Sequence, residues 1–279
     1  VKAQLDEDAL PVGDLKEPMI AELRALRALW YSMLLDTHGN VPIVDTWTDE
    51  LPKQATRQEV YNFVVKELTE ALPNLSEAND GTTYGRMNKW AALACLTRVY
   101  LNAEVYTGTP AWDKVVTTAD QIINSGIFEL APDYSDNFKV NMDYSNNKEV
   151  IFAVPYDEKY AAFGQHHKWY PPAAYKHFGN SKDYFWGGSC ANPQFINAYE
   201  EGDKRLEKTW IMGKRYNAQN PDELIWEAIN YLPSLTCMRD GENNTNNNWH
   251  YRVGKYEYNY ETTTGQRRNE FSYLSYDEI

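Results

Sequence analysis

Apolar positions in the first half of the chain recur at three- and four-residue spacing, and the breaks between these runs fall on turn-forming residues. In EPMIAELRALRALWYSMLLDTHGN, Ile20, Leu23, Leu26, Leu29, Trp30 and Leu34 share a helical period, and Gly39 with Asn40 supplies the stop. TRQEVYNFVVKELTEALPNL repeats the pattern. Thr56 followed three residues later by Glu59 is a capping box, and Val60, Val64, Leu68 and Leu72 form a stripe that ends before Pro73. A third helix is predicted over GRMNKWAALACLTRVYLNAEVY, rich in alanine at its centre. A fourth is predicted over PAWDKVVTTADQIINSG, with Pro110 near its start and Gly126 at the C-cap position.

Successive helices joined by short breaks imply antiparallel hairpins. Trp90, Leu93 and Ala94 fit the opening of a tetratricopeptide pattern, and Ala119 with Ile123 its second-helix small and large pair, while Thr97 stands at the expected Tyr position. Small Ala92 and Ala94 let two helices approach closely. Trp30, Trp90 and Trp112 each lie in or at the edge of an amphipathic helix and are expected to pack in the core or between helices. Trp47, in VDTWTDE, follows the first helix in a loop, where it either faces a ligand or caps a core edge.

After Gly126 the period is lost. NNKEVIFAVPYD holds a β-favouring run from Val150 to Val154, read as a buried strand behind a polar turn. Next comes HHKWYPPAAYKHFGNSKDYFWGG, His166 to Gly188, with seven aromatic residues that neither a helical nor an alternating period organises. A short helix-like piece, NPQFINAYEEGDKRLEKTW, follows, and the remainder mixes Asn-rich loops with alternating segments compatible with strands. Such an irregular excursion suits binding segments held on a rigid scaffold.

Composition narrows the partners. With 27 basic and 40 acidic residues the net charge is −13, which argues against nucleic acid or any partner held mainly through phosphates. The aromatic excess lies in tyrosine, 21 against 9 Phe, a ring suited to half-wet surfaces. No run approaches the apolar length needed to cross a bilayer. Cys95, Cys190 and Cys237 lie far apart and form no C-x-x-C pair, so neither a zinc knuckle nor a dense disulfide framework is indicated; Cys95 sits in an apolar helical pattern and is assigned to the core.

Five phrases then carry a family resemblance. RALRALWYSMLLDTHGNVPIV, GRMNKWAALACLTRVYLNAEVY, WDKVVTTADQIINSGIFELAPDYSDNF, NKEVIFAVPYD and WGGSCANPQFINAYEEGDKR, the last with its Asp203 to Arg205 turn, occur in the order and style of the SusD/RagB family. These are surface glycan-binding lipoproteins of Bacteroidetes. The resemblance implies a mainly α fold in which tetratricopeptide-like helix pairs form a scaffold, with a loop-rich irregular ligand-binding region containing short strands. It implies one SusD-like domain over 1–279, divided into a helical scaffold at 1–130 and a loop-rich binding region at 131–279. It further implies no catalytic activity, an oligosaccharide or polysaccharide ligand, and a SusC-like TonB-dependent transporter as partner. The location implied is the cell surface at the outer membrane, with membrane contact through an N-terminal lipid anchor. RRNEFSYLSYDEI keeps the family's Tyr276 and Glu278, with Ser275 where Arg is common, and the chain reads as trimmed, without an N-terminal segment and the final helix pair.

Set beside that resemblance, the aromatic stretch gains a chemistry. Sugar faces present C–H bonds of partial positive charge, which pack on the negative face of an aromatic ring. Trp169, Tyr170, Tyr184 and Trp186 are the main candidates for such a platform, with Tyr160 and Tyr175 behind them; Asp183, Asn180, Lys182 and His166 are available to orient ring hydroxyls. The competing reading is that these rings cover the scaffold. Trp249 and Tyr251 form a second, weaker platform candidate. His166 and His167 diverge as neighbours and lack H-x-x-x-H spacing, so they are read as loop residues and no metal site is assigned. Asp240, Gly241 and Glu242 lack the ligand ladder of an EF-hand. No cofactor is indicated, and calcium held through tertiary contacts stays open. A glycosidase would need two carboxylates about 5 to 10 Å apart, which 40 acids supply by chance. GGSCA around Ser189 lacks G-x-S-x-G spacing. A helical-repeat adaptor for a protein partner is the other alternative.

Overall fold

The computed structural model describes residues 1–46, 49–139, 145–155, 174–177, 190–228 and 251–255, together with the backbone of three short strand pieces, Tyr260–Glu261, Arg267–Arg268 and Tyr273–Ser275. Helices α1 (Lys2–Asp6), α2 (Lys16–His38), α3 (Arg57–Ala71), α4 (Lys89–Leu101), α5 (Ala103–Thr107) and α6 (Trp112–Ile123) lead to strand β1 (Ala153–Pro155). Then come α7 (Ala174–His177), α8 (Pro193–Ile196), α9 (Lys204–Thr209), β2 (Trp210–Ile211), β3 (Gly213–Asn217), β4 (Asn220–Ala228) and β5 (Arg252–Val253). Two compact units result: residues 1–130, 143–154 and 275–279 in one, and 131–142 with 155–274 in the other. The fold is mainly α, with helix pairs as expected.

In the first unit α2 packs on α3, and α4 on α6. Contacts across each pair run in opposite sequence order, which makes both pairs antiparallel. Arg24 meets Glu67 and Glu70 across the first pair, Tyr31 packs edge-on against Phe63 at 5.0 Å, and Gly39 approaches Arg57. Across the second, Thr97 Oγ1 donates to Thr118 Oγ1 at 2.8 Å and the Lys114 ammonium lies 5.2 Å above the Tyr100 ring. Thr97, the departure from the repeat pattern, therefore supplies an inter-helix hydrogen bond in place of an aromatic contact.

Local signals explain the boundaries. Thr56 accepts from the Glu59 amide while Glu59 accepts from the Thr56 amide, so the predicted capping box is formed. Gly39 takes φ +72° at the C-cap of α2, where a Cβ would also crowd the Arg57 guanidinium. Asn88 caps α4, accepting from Ala91 N at 2.9 Å and donating to Ala78 O at 3.1 Å. The third predicted helix divides at Asn102 into α4 and α5, and α6 has its C-cap at Asn124, two residues before Gly126.

Helix α4 is buried on two sides, which accounts for its unbroken apolar run. Ala91, Ala92, Cys95, Leu96 and Val99 join Ala21, Ala25, Ala28, Val60, Val64 and Leu68 in one core, while Trp90, Leu93 and Ala94 join Ile122 in another. Alanines on α2 and α4 keep the backbones close so that the branched residues of α3 fill between them. Cys95 is buried, and burial pushes its thiol up to about 11. Trp90 is buried and donates its indole N–H to Glu77 O at 2.8 Å, as the packing expectation requires.

Two other tryptophans correct the reading by spacing. Trp30 is 59% exposed and Trp112 52% exposed, so neither packs in the core. On α2 the alanine face, Ala21, Ala25 and Ala28, is the one turned to α3 and α4, which leaves Leu26, Trp30 and Leu34 on the open face. The expected strand at Val150 to Val154 is shorter and later, at Ala153–Pro155, although Val150 and Ala153 are buried as a strand core would be.

The second unit rests on antiparallel pairs. β2 pairs with β5, and β3 with β4 through Asn217 opposite Asn220, with irregular register around Tyr216. Asp133 caps the short 3-10 helix Tyr134–Phe138, and its hydrogen bonds with Ser135 lower its carboxyl to about 2.

Candidate functional site

Of the predicted platform, Trp169, Tyr170, Tyr184, Trp186, Tyr160, Asp183, Asn180, Lys182 and His166 lie outside the described residues, as do Trp47, His167, Ser189, Asp240, Gly241, Glu242 and Trp249. Tyr175 falls on α7, in the middle of the aromatic stretch. What the structure describes is the foundation beneath that part of the stretch.

Helix α7 is fixed to the β3–β4 hairpin at several points. Ala174 is fully buried. Lys176 Nζ donates to Glu223 Oε1 at 2.7 Å, and Asn217 Nδ2 donates to Glu223 Oε2 at 2.9 Å. These two bonds, the lysine's first, hold the Glu223 carboxyl below its ordinary range. Ala218 N donates to Lys176 O at 3.1 Å. His177 Nδ1 sits 3.0 Å from Tyr216 O; because a carbonyl only accepts, this nitrogen carries the proton. Burial lowers the His177 pKa, so its ring is neutral near physiological pH.

Beneath His177 lies Trp226, 2% exposed, with the two rings edge to face at 5.3 Å. The Trp226 indole N–H has no hydrogen-bond partner among the described residues. A buried indole against a neutral imidazole makes a rigid base under α7.

A second aromatic cluster adjoins the end of the same stretch in sequence. Phe195 on α8 packs edge-on against Tyr199 at 5.6 Å and Trp210 at 6.1 Å, and Trp210 Nε1 donates to Tyr199 Oη at 3.2 Å. Phe195 is 56% exposed, so this cluster offers a ring to solvent. Asp203 caps α9 and is gripped by Arg205, with Nη2 to Oδ2 at 2.6 Å, which gives the Asp-x-Arg turn a structural role. Sequence reading did not single out Phe195, Tyr199 or Trp210 because they come together only through the packing of α8 against the start of β2.

Other features fit a sugar less well. A cavity of about 520 Å³ in the first unit is lined mainly by apolar residues, Leu29, Met87, Ile122, Phe128 and Phe152 among them, with Glu129 and Glu149 also in its lining, a mostly apolar surface poorly matched to a hydroxyl-rich ligand. Among the described residues no cluster of three or more His, Cys, Asp or Glu could hold a metal.

Known proteins resemble this chain in sequence and in fold. Residues 6–101, which span α2, α3 and α4, match the SusD-like family model described as starch-binding associating with outer membrane. The chain is 33% identical over 139 residues to the starch-binding protein SusD of Bacteroides thetaiotaomicron, covering 49% of this chain and 25% of that protein. A SusD superfamily protein from Bacteroides fragilis superposes with a TM-score of 0.66 at 18% identity, over 96% of this chain and 54% of the other. A structure solved with xylogluco-oligosaccharide gives a TM-score of 0.62 at 24% identity, over 77% of this chain and 44% of that one. The chain thus spans about a quarter of its curated relative and about half of the solved structures.

Proposed function

We propose, from the premise that this chain belongs to the SusD/RagB family, that it binds an oligosaccharide or polysaccharide at the outer-membrane surface without cleaving it and hands it to a SusC-like TonB-dependent transporter. The observation that carries the reading is the match of residues 6–101, which span α2, α3 and α4, to a starch-binding family. The β3–β4 hairpin that fixes α7, the described piece of the aromatic stretch, supports it. Within a single SusD-like domain, we take 1–130 as scaffold and 131–279 as binding region, with Trp169, Tyr170, Tyr184, Trp186, Tyr160 and Tyr175 as the stacking surface and Asp183, Asn180 and His166 as hydroxyl partners. Stacking tolerates many sugars, so selectivity follows from the curvature of the rings and a few hydrogen bonds.

Affinity electrophoresis of Trp169→Ala and Trp186→Ala in the glycan that retards the wild-type protein tests the site. Retardation lost with an unchanged melting curve supports it, and full retention in both variants removes it. Incubation with the same glycan should release no reducing ends; their accumulation would show hydrolysis. Retention of a SusC-like transporter by the immobilised chain tests delivery, and failure to retain it removes that part of the reading.

A further inference from the structure

The geometry points to a second carbohydrate contact on the helical unit, in a groove between α3 and the turn from α5 into α6, with Trp112 as its stacking face. This deepens the proposed function and rests on it. The groove has a volume of about 440 Å³ and is lined on one side by Gln58, Tyr61 and Asn62, and on the other by the loop from Thr107 to Lys114. Gln58, Tyr61 and Asn62 stand at i, i+3 and i+4 and so share one face of α3. The opposite wall is held by Gly108, left-handed at φ +78°, and by Thr107 Oγ1, which accepts from Thr109 N at 3.1 Å. Arg57 Nη1 ties α3 to α5 through Val105 O at 3.3 Å. The groove walls are therefore preformed.

Its chemistry matches a neutral, hydroxyl-rich ligand. Trp112 is 52% exposed, an indole face left open at the first position of a helix whose remaining core contacts do not need it. Tyr61 is 8% exposed yet reaches the groove, and its hydroxyl makes no hydrogen bond among the described residues. The side chains of Gln58 and Asn62 and the Asp113 carboxylate are likewise unengaged among the described residues. Planar amides and a carboxylate accept and donate to vicinal hydroxyls while an indole packs on the sugar's C–H face. The net charge of −13 disfavours an anionic ligand.

The test follows the Trp112 indole N–H signal by heteronuclear NMR, identified by its loss in Trp112→Phe, during separate titrations with maltoheptaose and xyloglucan heptasaccharide. Saturable movement with either one is expected, with affinity at this signal weakened roughly two- to tenfold by Tyr61→Phe, which removes one hydroxyl and keeps the ring. If other indole signals move while that of Trp112 stays fixed, the second contact is refuted and the proposed function stands. If no indole signal moves and neither amylopectin nor xyloglucan retards the protein in gels, the second contact falls together with that function. Movement that Tyr61→Phe and Asn62→Ala both leave at wild-type affinity would also overturn this groove as the site.

Discussion

Glu67 is the sharpest point at which to perturb the scaffold. Its side chain is 6% exposed on α3, and it receives two guanidinium groups from α2. Arg24 donates to Oε1 at 3.0 and 2.8 Å; Arg27 donates to Oε2 through Nε at 2.9 Å and again through Nη2. Arg24 also reaches Glu70 at 2.5 Å, and Arg27 reaches Asp45 O at 2.8 Å. Glu67→Ala removes the acceptor from both arginines and leaves a small void. Removing one member of a fully buried pair costs about 3–5 kcal/mol. Here the arginine side chains keep 19% and 21% exposure, so water compensates part of the loss. The expected cost is about 2–4 kcal/mol, at and below the lower end of the range for a fully buried pair. At about 2–4 °C per kcal/mol for a chain of this size, the melting midpoint should fall by roughly 5–15 °C. Glu67→Gln, which keeps one acceptor oxygen, should lose about half as much. Thermal unfolding followed by far-ultraviolet circular dichroism measures both. A Glu67→Ala midpoint within error of wild type would refute the claim that this carboxylate locks α2 to α3.

Further predictions follow from burial and charge. Mass-spectrometric mapping after native alkylation at pH 8 should find Cys190, which is exposed, labelled well before Cys95, whose thiol is pushed up to about 11 by burial; equal labelling would contradict the core placement. N-bromosuccinimide at limiting dose should oxidise Trp30 and Trp112 before Trp90 and Trp226, and the reverse order would overturn the exposures on which the groove depends. His177 has a folded-state pKa below its unfolded value, chiefly through burial, so its contribution to stability is full above the unfolded pKa and is lost as pH falls through about 6.5 toward the folded value. Comparing wild type with His177→Gln, the difference in urea midpoint should shrink between pH 7 and pH 5; a constant difference would show that folding leaves the His177 pKa unchanged.

The helix pairs were legible because their evidence is local. The capping box at Thr56 and Glu59, the glycine at Gly39 and the three-four apolar period need no knowledge of the rest of the chain. Which apolar face is covered is another matter. Leu26, Trp30 and Leu34 have the spacing of core residues, yet the alanine face of α2 is the one that meets α3 and α4. Trp112 was assigned to packing for the same reason, since spacing records that a residue shares a face and not what lies opposite. The β3–β4 hairpin is only loosely legible, because β3 alternates half-exposed with exposed positions, β4 has buried positions only at Trp226 and Ala228 near its end, and both strands carry charges on both faces, leaving little period-two contrast. The Phe195, Tyr199 and Trp210 cluster has no sequence signal at all, being made by a meeting of separate elements. The aromatic stretch announced itself by composition alone, which is enough to suggest display and too little to fix a geometry.

The most direct measurement of the account is the migration of the wild-type chain in native gels cast with individual soluble polysaccharides, amylopectin and xyloglucan among them. Retardation by at least one glycan, relative to a non-binding protein in the same gel, is the predicted result. Unchanged migration in every glycan would contradict the carbohydrate reading and leave the helical-repeat adaptor as the function to pursue.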